Sequence, residues 1–471
     1  MPSARRYSPL SRAPQGVVIG TLAIGATFAS FLQSLVIPLL ADIPTIFSVT
    51  QGESSWILTA TLVSGAIVTP VAGRLGDLYG KRRVLLLIVT TVLAGSVVAA
   101  LSPNLSIMIV GRALQGALVG VIPLGISILR DILPRDRLTG AVGLVSSSLG
   151  VGGALGFPLS AVIYQHLGWQ ALYWTAVILM IVLLAALYFI IPATAITAHG
   201  SFDYLGALVL SLSVVCILLA ISRGPEWGLI SPITMTCLGT GIILLIAWLF
   251  WELRHRSPLV DIRLSVRPTV LLTNLAGAAL GFSVFGFQVI TPIVVQLPPE
   301  SGVGLGASVI IAGLCLMPAG LMMLTFSPIG ARVSLRFGAK WSLAAGSTVI
   351  AAGYLAAPVA MDSLILLGLV SLTLGIGFGF TFGAIPTLIM SAVPPSHTAA
   401  ANGLNSLVRS VGSATGSAVY GVILSTFTLV FNGTVQPDRS GLELAYVVSG
   451  LAMLIGGALA LSIPRKRSID R

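Results

Sequence analysis

Charge is what this sequence has least of. Only 8% of its 471 residues are Asp, Glu, Lys or Arg, against 56% hydrophobic residues and a mean hydropathy of +1.03. Soluble domains carry about 25% charged residues, so a water-soluble globule is excluded and a membrane protein is expected. Cysteine is equally scarce. Cys216, Cys237 and Cys315 all fall in apolar runs without paired spacing, which makes them packing residues rather than disulfides or metal ligands. The four histidines, His166, His199, His255 and His397, fall in loops. No HExxH, CxxC pair or GxxxxGK[ST] occurs, so neither an enzyme, nor a metal, nor a cofactor is expected, and transport without a nucleotide site must draw on an ion or substrate gradient. Strand alternation is missing too, which argues against a barrel.

What the chain does have is long apolar runs, such as Trp174 to Ile191, that reach the roughly 18–20 residues a helix needs to cross a bilayer. The first follows a basic tail (Arg5, Arg6, Arg12) and is long enough to stay as a span rather than be cleaved. Fourteen spans are expected, the first over 16–41 and the thirteenth over 399–430. Placing both termini in the cytoplasm puts 21 of the 25 Lys and Arg inside and only Arg223 and Arg439 outside, the asymmetry that orients plasma-membrane proteins. The net charge of +11 therefore reports topology, and nucleic-acid binding, which needs a basic face on a soluble domain, is not expected.

The chain repeats itself. FLQSLVIPLLADIP (31–44) and FGFQVITPIVVQLP (285–298) share a Phe and two prolines at one spacing, and GLVSSSLGVGGALG (143–156) matches GLNSLVRSVGSATG (403–416) at seven of fourteen positions. GRLGDLYGKRR (73–83) has the same Gly-to-Lys layout as GARVSLRFGAK (330–340). The expected architecture is all-α: two pseudo-symmetric six-helix bundles, 16–192 and 269–463, an inserted helix pair with its flanking loops at 193–268, and short tails at 1–15 and 464–471. Parallel repeats of this kind enclose a binding site at their interface near the midplane.

These residues resemble the fourteen-helix drug:proton antiporter branch of the major facilitator superfamily across essentially the whole chain. GRLGDLYGKRR is similar to that superfamily's motif A, GRALQG (111–116) to motif B, and NSLVRSVGSATG (405–416) to a thirteenth-span signature. DYLGALVLSL (203–212), RGPEWG (223–228) and WELRHRSPLVDIRL (251–264) resemble the branch's inserted pair and the loop after it. The resemblance implies that Asp77 latches the two halves together on the cytoplasmic side. It also implies a first-span acid, and Gln33 stands at the corresponding position.

Motif A is read as a gate: Gly73 and Gly80 allow a tight turn, Arg74 and Arg82 flank it, Asp77 can accept hydrogen bonds from exposed backbone N–H groups or from a basic partner, and Asp131 is the natural partner for Lys81 or Arg82. Ser334 replaces the Asp in the second copy. In the fifth span Gly150, Gly152, Gly153, Gly156 and Pro158 form an altered motif C, which suits either a moving interface or ordinary small-residue packing. Only Arg112 and Arg409 lie well inside spans, and a buried Arg in a membrane is functional by default. Arg112 and Gln33 fall at similar depth, about 10–14 Å from the outer surface, and can touch, or Arg112 can tie the fourth span to backbone carbonyls of the first, while Ser406, Ser410 and Ser413 favour a structural tie for Arg409. No Asp or Glu falls mid-span, which leaves Asp42 and Glu53 at the outer mouth as proton-coupling candidates.

The polar points and aromatic walls offered to a ligand are Gln33, Gln115, Asn274, Phe282, Phe285, Gln288 and Asn405. The expected function is a secondary transporter that works as a monomer in the lipid bilayer and exports an amphipathic small molecule in exchange for protons. An uncoupled facilitator or lipid flippase, and a transport-inactive receptor or scaffold, are the alternatives.

Overall fold

The computed structural model describes residues 14–36, 39, 42–49, 51–54, 56–193, 201–228, 230–255, 257–431 and 434–464. His199 and nearly all of both terminal tails lie outside the described residues. Fourteen helices are long and apolar enough to cross a membrane. The N-terminal bundle comprises α1 (Gln15–Ser34), α2 (Trp56–Tyr79), α3 (Lys81–Ala100), α4 (Leu105–Ile132), α5 (Arg137–Leu167) and α6 (Trp169–Ile190). The inserted pair is α7 (Tyr204–Gly224) and α8 (Pro232–Arg254). The C-terminal bundle comprises α9 (Pro268–Gln296), α10 (Val309–Phe337), α11 (Ala339–Ala360), α12 (Leu364–Ala392), α13 (Pro395–Thr426) and α14 (Arg439–Leu461).

Helices are the form that satisfies every peptide group within one segment, as a hydrocarbon medium demands. Their starts are capped by short polar side chains: Asn104, Asp203 and Asp438 each accept a hydrogen bond from a backbone N–H three residues on. Two expected span ends are corrected. The first helix stops at Ser34, not residue 41, and Ile43–Phe47, with Pro44 in its first turn, forms a short separate helix. The thirteenth stops at Thr426, and Thr428–Phe431 pairs antiparallel with Thr434–Pro437 in a small hairpin beyond the bundle. The β-branched residues Thr428, Val430, Thr434 and Val435 favour the pleated form over continued helix.

Each bundle has its own apolar core, one built from α1 to α6 and one from α9 to α14. A third core lies where Leu210 and Val214 of α7 and Trp248 of α8 meet Ala66 of α2 and Leu407 and Ala414 of α13. The inserted pair thus packs along the line where the two bundles meet.

That line is made of small residues. Gly320 of α10 lies so close to α5 that a Cβ there would sit 2.2 Å from the Gly150 carbonyl oxygen, and one on Gly152 would sit 2.0 Å from the Thr27 carbonyl oxygen of α1. Gly156 also faces α1, while Pro158 packs against Gly313 of α10. The fifth-span glycines therefore serve two helices at once: α5 is clasped between α1 of its own bundle and α10 of the other. Lipid-embedded helices have no hydrophobic drive toward one another, so this close approach supplies the attraction.

Gly152→Leu should force α1 and α5 apart. We expect a loss of about 1–3 kcal/mol of stability, typical of overpacking, seen as a lowered melting temperature of the purified protein. Gly140→Ala, where a Cβ meets nothing within 4 Å, should leave it unchanged.

Candidate functional site

A cavity of about 1360 Å³, its open mouth included, lies between the bundles. It is lined by α1, α2, α4 and α5 on one side and α9, α10, α12 and α13 on the other. Helical periodicity decides which side chains reach it. On α9, Gly281, Val284, Phe285 and Gln288 follow the i, i+3, i+4, i+7 stripe and line the wall. Gln33 enters from α1 and Arg409 from α13.

Four expected wall residues lie elsewhere. Phe282 sits one position off the α9 stripe and packs against Tyr420, ring centroids 5.0 Å apart. Gln115 is buried in the N-terminal bundle, donating to Ser96 Oγ at 2.9 Å and accepting from Arg112 at 2.7 Å. Asn274 accepts a hydrogen bond from Asn405 at 3.0 Å, joining α9 to α13. Asn405 faces a smaller void beside the cavity, together with Asn402, Ser406 and Arg409. Sequence reasoning missed Phe378 and Phe382, which share one face of α12 and line the cavity. Their signal was present: the run GFGFTF places them four residues apart.

Of the two readings open for Arg112, the structure shows the tie to the first span's backbone and not a contact with Gln33. Arg112 is only 1% exposed and donates to the Leu32 carbonyl at 3.4 Å and to Gln115, whereas Gln33, one position further round α1, points into the cavity. Arg112 therefore ties α4 to the backbone of α1. For Arg409 the correction runs the other way. Ser410 donates to the Ser406 carbonyl and Ser413 to the Gly281 carbonyl, and the guanidinium stands 5.3 Å from the centroid of the Phe382 ring, on the cavity wall.

Motif A closes the end of the bundle that carries most of the basic residues. Gly80, at φ 100°, makes the turn between α2 and α3, a conformation that favours glycine. Gly73 does not turn. It lies within α2, where a Cβ would meet the Ala399 carbonyl oxygen at 2.6 Å, so its smallness lets α2 touch α13 of the opposite bundle. Asp77, 0% exposed, accepts a hydrogen bond from the backbone N–H of Ala400, in the first turn of α13. A carboxylate there meets unsatisfied N–H groups and the positive end of the helix dipole. Lys81 pairs with Asp131 at 2.5 Å, and Arg82 instead donates to the Tyr188 carbonyl of α6. Arg74 is buried beside Asp77 and Glu252.

A further contact across this end was not anticipated. Arg130, at the end of α4, donates to the Val393 carbonyl at 3.1 Å and to Thr398 Oγ1, both at the α12–α13 connection. The only sequence signal was its place beside Asp131.

Asp42 and Glu53 lie at the opposite end, exposed and away from the cavity wall. Neither caps a span: Asp42 precedes the short helix and accepts a hydrogen bond from Tyr164 at 2.5 Å, and Glu53 sits in a short helix over Gln51–Ser54. At that end Arg439 forms a two-pronged pair with Asp362 at 2.7 and 2.9 Å, which holds the Asp362 carboxyl below its ordinary range.

Two helical bundles around a central cavity, with one end closed by contacts between them, define a membrane transporter fold. A model of the Major Facilitator Superfamily matches residues 22–417, and the chain belongs to that family. It is 26% identical over 450 residues to the tetracenomycin C resistance and export protein of Streptomyces glaucescens, covering 93% of this chain and 81% of that one. It is 27% identical over 434 residues to an uncharacterized MFS-type transporter of Mycobacterium tuberculosis (strain CDC 1551 / Oshkosh), and there the match spans 89% of this chain but only 61% of the relative's length. The crystal structure of the human organic anion transporter MFSD10 superposes with a TM-score of 0.66 over 95% of this chain and all of that one, at 16% identity, a likeness of fold alone.

Asp77→Asn keeps the side-chain shape but removes the charge held at the start of α13. We expect flux to fall at least fivefold at matched expression in membrane vesicles; unchanged flux would deny Asp77 its part in closing this end. Arg112→Lys keeps the charge and loses the planar fork that reaches Leu32 and Gln115 together. Its melting temperature should drop by several degrees, and a melt equal to wild type would reduce the residue to a simple charge.

Proposed function

We propose that the chain is a secondary active transporter that exports an amphipathic small molecule by alternating access, in exchange for protons. The observation that carries this reading is the cavity between the bundles, lined equally by both and shut at the basic end by Asp77, Arg130 and the Gly73 contact. Rocking one bundle against the other around a fixed site would open that end. The cavity's five phenylalanines and two glutamines suit an apolar body with few polar points. The concentration of Lys and Arg supports a plasma-membrane protein with both termini in the cytoplasm. Export also accords with the tetracenomycin relative, which is named as a resistance and export protein.

Among the described residues no carboxylate lines the cavity, so proton coupling is assigned to Asp42 and Glu53, exposed at the far mouth. Reconstituted vesicles loaded with a panel of neutral, anionic and cationic fluorescent amphiphiles test this under an imposed pH gradient. Wild type should move at least one dye with a gradient-dependent rate, and the Asp42→Asn/Glu53→Gln double variant should bind that dye and lose the gradient response. Gradient-independent flux in wild type would mark an uncoupled facilitator, an equally driven double variant would refute coupling at the mouth, and binding without flux would mark a receptor.

A further inference from the structure

We propose that the cavity selects amphiphiles carrying an anionic group, a carboxylate or sulfonate on an apolar and preferably aromatic body, with Arg409 as the residue that binds the charge. This deepens, and rests on, the reading of the cavity as the transport site. Among the described residues that line the cavity, Arg409 carries the single formal charge. Among the described residues, no carboxylate lies within ion-pair distance of it and no side chain or carbonyl accepts a hydrogen bond from it. Arg112, the other arginine in mid-span, is buried and engaged by Leu32 and Gln115. Arg409 is half-buried, with the remainder of its surface open to the cavity.

An arginine cannot shed its proton in this setting, so its five N–H donors and its charge are permanent. Phe382, 5.3 Å from the guanidinium, offers only the face of a ring. A bidentate acceptor such as a carboxylate or sulfonate fits the fork and supplies the missing countercharge where the surroundings screen it poorly. A cation would meet like charge there with no acid to offset it. The remaining surface fits the rest of such a ligand: Phe285, Phe287 and Phe378 wall an apolar body, and Gln33 and Gln288 offer amides from α1 and α9. Arg409 also borders the smaller void beside Asn402, Asn405 and Ser406, on the side toward the start of α13. A bound anion would thus lie between the cavity and the end that the latch closes.

The test uses two fluorescent probes with one ring system, 8-anilinonaphthalene-1-sulfonate and the neutral N-phenyl-1-naphthylamine. Saturable binding is measured on the purified full-length protein in zwitterionic nanodiscs, with empty nanodiscs subtracted. The sulfonate should bind wild type at least tenfold more tightly than the amine, about 1.4 kcal/mol. Arg409→Gln should erase that preference and leave amine affinity within threefold, while Arg409→Lys should keep most of it. Ser413→Glu retains the arginine and gives it a resident carboxylate one helical turn away, so the preference should vanish there as well; this variant decides the matter if Arg409→Gln fails to fold and loses both probes. Equal affinities in wild type, no saturable sulfonate binding, or a preference that survives Arg409→Gln or Ser413→Glu would overturn the proposal. Charge selectivity without vesicle flux would instead overturn the transport reading and leave the anion site standing, and flux without charge selectivity would do the reverse.

Discussion

A charge kept within hydrocarbon must be answered by something fixed in the protein, because lipid offers neither water nor a mobile counterion. Much of this structure is the working-out of that requirement. Lys81, with no exposed surface, is answered by Asp131, and Arg112 by a carbonyl and an amide. Asp77 is answered by the N-terminal turn of a helix from the other bundle. At the opposite end Arg439 is held by Asp362 and Glu443, and Arg223 by Glu226 and the face of Trp56. Each of these charges has at least one partner on another element, Asp131, Leu32, Ala400, Asp362 or Trp56, so the electrostatic need and part of the tertiary connection are met by the same contacts. Arg409 departs from the pattern, and it does so on the cavity wall, where a ligand can take the vacant role.

Between the bundles the forces are of another kind. The α5–α10 seam brings backbones together at Gly150, Gly320, Gly313 and Pro158, with Met323 lying against Gly150 and Phe157 against Gly313. Close contact of this sort gives dispersion attraction over a smooth surface, so sliding costs less than it would through a core of interdigitated leucines. Inside each bundle the opposite holds: large residues such as Leu22, Leu85, Tyr354 and Tyr446 are fully buried. Rigid bodies with a smooth boundary are what a rocking motion requires.

How much of this could be read from the residues depends on the range of the information. The fourteen spans, their pairing into repeats and the inserted pair were legible, because hydropathy and the periodicity of short motifs are local properties. The ends of α1 and α13 were misjudged because apolar residues continue past them, and only the prolines and β-branched residues beyond break the helix. Direction was harder than identity. Gln115 and Phe282 are apt residues for a cavity wall, yet one faces Ser96 and the other Tyr420, since a single step along a helix turns a side chain by about 100°. For Asp77 the kind of partner was legible, a backbone N–H, but not which one: every non-proline residue carries one, and only packing of α13 against α2 selects Ala400.

The duplication is unequal at the point where the gate is built. Gly80 and Gly338 keep the same turn, with φ of 100° and 99°, so the backbone of motif A survives in both copies. The acid survives in one, and Lys340 of the second copy donates to the Ile463 carbonyl within its own bundle. The polar contacts that cross the basic end accordingly run one way: Asp77 and Arg130 reach out from the N-terminal bundle, and both land on residues 393–400 of the other. That stretch is the start of α13, whose next turns carry Asn405 and Arg409 beside the cavity. Arg409 and the turn that meets Asp77 lie on one continuous helix, so a ligand held by Arg409, as proposed, would pull on the element whose first turn Asp77 holds, and filling the cavity would bear on the closed end through that one helix.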